Sequence, residues 1–163
     1  GTVSVFASIG YTNARYKDFR VYTTKGSTPN ITIEETNLKG NWVEYAPEYN
    51  HRFGLTYDIS RKDKKGNAHA FSTTFLVSYT SAFYTDALNT ELPNIAATLG
   101  KLDAYSVADW SFTYRFLEKY NFKAGVNNFT HAKYATRRAG GYPGPGILPA
   151  DGLNWFVSVG LKI

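Results

Sequence analysis

Strict two-residue alternation of apolar and polar side chains, repeated in six places, constrains this chain more than any other feature. Residues 2–16 place Val3, Val5, Ala7, Ile9 and Tyr11 against Ser4, Phe6, Ser8, Gly10 and Thr12. Residues 45–60 place Tyr49, His51, Phe53, Leu55, Tyr57 and Ile59 against Arg52, Gly54, Thr56 and Asp58. The pattern recurs over residues 68–84, 103–117, 120–134 and 153–163. A period of two belongs to a strand with one apolar face, and helical spacing is weak throughout. The expectation is an all-β chain with antiparallel strands.

Alternation fits both a soluble sandwich and a membrane barrel. Three features favour the barrel. None of the six apolar faces carries Asp, Glu, Lys or Arg, as lipid contact requires. The opposite faces are rich in Ser, Thr, Gly and Asn, with scattered charges, as a polar lumen would be. The connectors also alternate in length: those over 17–44, 85–102 and 135–152 are long, and those over 61–67 and 118–119 are short. Long extracellular loops and short periplasmic turns have this rhythm, and it places the C-terminus towards the periplasm. Tyr11, Tyr16, Tyr45, Tyr57, Phe83, Tyr84, Tyr105, Phe116, Tyr120 and Tyr134 fall near the expected strand ends, where interfacial girdles form. Residues 21–24 and 31–34 flank a Gly-Ser-Thr-Pro-Asn turn, so the first long link is expected to carry its own hairpin. The last link is crowded with Gly and Pro, which excludes regular strand or helix there.

Composition narrows the function classes. The 163 residues contain no Cys, which excludes disulfides and thiolate chemistry, and no run of about 20 apolar residues for a membrane-crossing helix. The net charge of +5 comes without a nucleic-acid motif, and the run 61–65 reads as a solvated turn, so no nucleic-acid partner is expected. His51, His69 and His131 lack metal-ligand spacing. No catalytic constellation or cofactor motif is present, so the chain does not read as an enzyme. Asp109 and Arg115 are expected to pair with charges on neighbouring strands.

Residues 40–57 (GNWVEYAPEYNHRFGLTY) resemble a recurrent stretch of TonB-dependent outer-membrane receptors, in which an "aPxh" element opens a barrel strand. Residues 122–134 (FKAGVNNFTHAKY) resemble the family's penultimate-strand motif through Asn127, Asn128, Phe129 and Tyr134. Residues 136–152 resemble the last loop of receptors similar to the ferric dicitrate receptor, and residues 154–163 (NWFVSVGLKI) resemble the closing strand. Ile163 departs from the Phe that commonly ends such barrels.

The resemblance implies that residues 1–163 are the C-terminal part of a barrel of about 22 strands. About six of these are present, without the plug and earlier strands. It implies energy-dependent uptake of a ferric chelate across the Gram-negative outer membrane. The partners would be the chelate, the TonB complex acting through the plug, and outer-membrane lipid and lipopolysaccharide. Arg137, Arg138 and Tyr142 fall in the expected last extracellular loop. Arg holds carboxylates in a two-pronged grip and Tyr can stack or donate, so these three are the candidate ligand-binding residues. Anchoring of the loop by the same arginines is the alternative. Two other functions fit the residues less fully: a soluble carbohydrate-type binding domain using Trp42, Trp110 and Trp155 as platforms, and a small outer-membrane barrel of another function.

Overall fold

The computed structural model describes residues 1–142 and 144–162; Ile163, the departure noted above, and Pro143 of the last loop lie outside them. Ten strands form three antiparallel sheets: β1 (Thr2–Tyr11), β2 (Arg20–Ser27), β3 (Asn30–Asn37), β4 (Tyr49–Lys62), β5 (Ala68–Thr80), β6 (Tyr105–Phe116), β7 (Tyr120–Asn127), β8 (Ala135–Ala139), β9 (Gly146–Pro149) and β10 (Asn154–Leu161). Six of them make one sheet in the order β1-β4-β5-β6-β7-β10, and β2-β3 and β8-β9 are separate hairpins. The expected hairpin in the first long link is therefore β2-β3.

The register sorts the side chains into rows. One row runs Val5, Leu55, Phe75, Trp110, Val126, Trp155 across all six strands. The next runs Val3, Tyr57, Thr73, Phe112, Ala124, Val157. Between them, on the opposite face, lie Ser4, Thr56, Thr74, Ser111, Gly125 and Phe156. A slip of one residue at any ladder would exchange the faces, so the pattern itself specifies the pairing.

Apart from Phe129, whose ring lies 5.6 Å from that of Phe75, no second layer of chain covers the apolar rows among the described residues. Val5 is 74% exposed, Trp155 72% and Val159 78%. Among the described residues the buried hydrophobic side chains are Leu38, Phe83, Leu102, Ala108 and Ala139, three of them in the loops, one in β8 and one, Ala108, in β6. A sandwich would need a second sheet over these rows, and neither two-stranded hairpin supplies it. The arrangement is a curved wall of an open barrel whose outward face needs lipid. The Trp110 indole N–H donates to Thr73 Oγ1 at 2.8 Å on this face, which satisfies both groups where water is absent. A strand the length of β5, 13 residues, extends about 43 Å at about 3.3 Å per residue. Tilted by about 45° it crosses about 30 Å of hydrocarbon.

Aromatic belts border the outward face. On the long-loop rim the rings of Tyr11 and Tyr49 lie 5.3 Å apart, and His51 stacks on Tyr79 at 5.6 Å. On the other rim His69 lies 4.9 Å from Phe116, which stacks on Tyr120. Of the residues expected in girdles, Tyr11, Tyr57, Phe116 and Tyr120 fall on this face. Phe83 is instead buried among the loops, Tyr16 and Tyr84 bond to loop carboxylates, and Tyr105 stacks on Tyr134 at 4.3 Å.

Three expectations need correction. The fifth alternating stretch ends as a strand at Asn127, not near residue 134, because Asn128 turns the chain with a positive φ of 49°. The last link does contain regular pairing, the short hairpin β8-β9, with Pro149 at its end where no amide is required. Among the described residues Asp109 and Arg115 form no ion pair: they sit opposite Leu76 and Ala70, and Asp109 accepts from the Asn128 amide at 2.8 Å.

The short turns close compactly. Asp63 Oδ1 accepts the amides of Lys65 and Asn67, and its Oδ2 accepts from Asn67 Nδ2. These bonds hold the Asp63 carboxyl below its ordinary value, with the Asn67 side chain contributing most.

Two inward aromatics lie over glycines on the paired strand. A Cβ at Gly54 would sit 2.0 Å from the Phe6 ring, and one at Gly125 would sit 2.7 Å from Phe156. The two glycines accept a ring laid flat across the backbone at each end of the sheet, β1 and β10. Gly54→Val in the full-length protein is expected to cost about 1–3 kcal/mol through overpacking. Phe6→Ala added to it should recover most of that loss, as read from urea titration of the heat-modifiable folded band on gels.

Candidate functional site at the long-loop rim

The three long links all leave the same rim of the sheet, and polar side chains brace them around the buried Leu38, Phe83, Leu102 and Ala139. In the first, the Arg15 guanidinium lies 3.8 Å from the centre of the Trp42 ring and donates to Gly40 O. Asn89 in the second link ties it to the first: its Oδ1 accepts the Trp42 amide and its Nδ2 donates to Trp42 O at 2.8 Å. Asn41 Nδ2 donates to Ala87 O at 2.9 Å. Within the second link Phe83 and Leu102 pair as an antiparallel bridge, and the Thr85 hydroxyl donates to Gly100 O.

Arg138 ties the third link to the second. Its Nε donates to Gly100 O at 2.9 Å, Nη1 to Ala97 O at 3.0 Å and Nη2 to Lys101 O at 3.4 Å. The Tyr45 hydroxyl donates to Arg138 O at 3.0 Å, so all three links meet at this residue. Arg137 is its neighbour on β8, and successive strand residues point to opposite sides. Arg137 is exposed, and Tyr142, at the loop tip, is 97% exposed. The structure therefore places the Arg138 guanidinium on loop carbonyls and leaves Arg137 and Tyr142 facing outward, without bringing the three side chains together.

The base of the third link depends on Asn128, which is 2% exposed. Its Nδ2 donates to Ala132 O and Asp151 O, and its Oδ1 accepts the Ala132 amide. One side chain thus ties both feet of the loop together. Asn tolerates the left-handed conformation and mimics a turn, which explains its presence here.

Between the second and third links lies a cleft of about 300 Å³ lined by Lys101, Asp103, Lys133, Tyr134, Arg138 and Ile147. Burial raises the Tyr134 hydroxyl above its ordinary value, so it stays a donor at neutral pH. Lys101 and Lys133 were not singled out from the sequence; both lie beside segments that look like ordinary solvated loop. Lys101 also lies 3.4 Å from Glu91 and over the Tyr84 ring. The Tyr84 hydroxyl donates to Glu91, which lowers the Glu91 carboxyl and raises the tyrosine. In the first link the Tyr16 hydroxyl bonds Glu44 and is pushed up to about 12.

A depressed carboxylate contributes fully above its unfolded value and is lost as pH falls through the folded one. For Glu91, ordinarily 4.5, the brace on the second link is expected to hold at neutral pH and release only below about pH 4.5. Hydrogen exchange of residues 84–101 in the full-length protein should rise in that window, and Glu91→Gln should remove the acid step.

A family model described as "TonB dependent receptor-like, beta-barrel" matches residues 3–129. No curated protein matches the chain. No solved structure matches it either.

Proposed function

Because the chain belongs to the TonB-dependent receptor β-barrel family, we propose that it forms part of an outer-membrane receptor that takes up a ferric chelate. The family consists of outer-membrane receptors and transporters rather than enzymes. The short-turn rim, which also carries Thr2 and Leu161, would face the periplasm, and the braced links would face outward. Energy would come from the TonB complex through a plug domain, and lipid and lipopolysaccharide would cover the outward rows.

The observation that carries this reading is the local cluster of cations around the cleft between the second and third links. Lys101, Lys133 and Arg138 border a cleft whose wall includes one carboxylate, Asp103, and Arg137 stands exposed on the adjoining strand. Carboxylate-bearing or catecholate chelates of iron carry negative charge and suit such a cleft. Arg137 and Tyr142 would contact the chelate, and Arg138 would hold the loop that presents them.

Ferric citrate and a ferric catecholate siderophore are the probes, with the intact parent protein as receptor. Replacing Arg137 and Tyr142 together by Ala should weaken binding of the cognate chelate by about tenfold or more, the scale of one lost charged hydrogen bond. Equal affinity for wild type and the double variant would discard the assignment. Arg138→Ala should weaken binding and also raise protease cleavage in residues 84–101, which separates its positioning role from direct contact.

A further inference from the structure

The outward rows change character at the short-turn rim. One row there runs Ile59, Phe71, Tyr114, Phe122 and Val159, all apolar or aromatic. The next, at the strand ends, runs Arg61, His69, Phe116, Tyr120 and Leu161. Among the described residues, Arg61 is the one Lys, Arg, Asp or Glu on the outward side of the six-stranded sheet. It stands next to His69 across the ladder, about 4.8 Å away. His69 is held at this boundary: its Nδ1 lies 2.7 Å from the Tyr114 hydroxyl and its Nε2 3.7 Å from Asp63 Oδ2.

The two short turns add Lys64, Lys65 and Lys119, all exposed. The turns adjoin one another, because the Leu117 amide donates to Ala68 O at 2.9 Å. With Arg61 they bring four cations against two carboxylates, Asp63 and Glu118. None of the ion pairs among the described residues includes any of the four. Asp63 is turned into its own loop by the Lys65 and Asn67 amides and the Asn67 side chain.

We propose that this rim is a docking surface for anionic glycerophospholipids, with the headgroup phosphate at Arg61 and the turn lysines and the acyl chains along the rows beyond it. The juxtaposition selects a ligand whose negative charge is joined to a long apolar body, because Arg61 and His69 directly follow the row from Ile59 to Val159. Arg grips phosphate oxygens in a two-pronged manner, and a cluster of cations at a membrane boundary concentrates anionic lipid. A water-soluble acidic protein fits less well, since it would reach Arg61 only by displacing lipid from Phe116 and Tyr120 beside it. The belt is one-sided, so the sheet meets the two leaflets with different charge.

This inference rests on the barrel reading above, because the rows meet acyl chains only if the sheet lies in a bilayer. The full-length protein is reconstituted in phosphatidylcholine vesicles carrying traces of spin-labelled phosphatidylglycerol or phosphatidylcholine. The share of each label slowed at the protein surface gives their relative association. Phosphatidylglycerol should be preferred by about threefold or more, and the preference should fall as salt is raised. Glutamine at Arg61, Lys64, Lys65 and Lys119 together should bring the ratio to about one, and Arg61→Gln alone should remove about half of the preference. Arg61→Lys should keep most of it. Lys17→Gln with Lys39→Gln, in the first long link at the opposite rim, should leave it unchanged. No preference in the wild type, a preference that survives the fourfold change, or one lost with Lys17 and Lys39 would overturn the proposal. Absence of a slowed component for either lipid would instead overturn the barrel reading and this inference with it.

Discussion

The ladder register couples six strands so that an unbroken apolar row on one side always accompanies a polar row on the other. From Val5 to Trp155 the outward row crosses every strand of the sheet without a charge. Such a surface is unstable in water and unremarkable in lipid, where each unmatched backbone group would cost several kcal/mol. The backbone groups inside the sheet are matched by the ladders themselves. What remains open is the outer edge of β1 and of β10, and closure of a barrel is the arrangement that removes such edges.

This constraint explains the division of labour between the two rims. The strands cannot carry binding chemistry on the outward face, so polar specificity is confined to the loops and the inner wall. The loops combine a small buried apolar cluster, Leu38, Phe83, Leu102 and Ala139, with side-chain bonds to backbone groups. Asn89 and Arg138 each satisfy several backbone groups of another link and Asn128 those at both feet of its own, and each would leave multiple donors or acceptors stranded if removed. At the other rim the connections are short, and the Asp63 turn closes on itself.

Much of the sheet was legible in the sequence because alternation survives wherever a strand separates two different media. Strand ends were less legible. Residues 128–134 keep the composition of a strand, yet Asn128 hands the backbone bonds to its own side chain and ends β7. The hairpin β8-β9 was hidden because four or five residues are too few to show a period, and Gly and Pro dominate its neighbourhood. In the candidate site, Arg137, Arg138 and Tyr142 were visible as a charged, aromatic loop. That adjacent arginines part ways was readable only once β8 was known to be a strand. The carbonyls held by Arg138 lie about forty residues earlier in the chain, and no local pattern announces them.

Lipid contact of the outward rows is best tested on β10, using nitroxide labels placed one at a time over residues 155–161 of the full-length protein in vesicles. Collision with oxygen, which concentrates in the bilayer, should be high at Trp155, Val157, Val159 and Leu161 and low at Phe156, Ser158 and Gly160. Shielding of the first set from both oxygen and a water-soluble nickel reagent, as beneath a second layer of protein, would contradict the account.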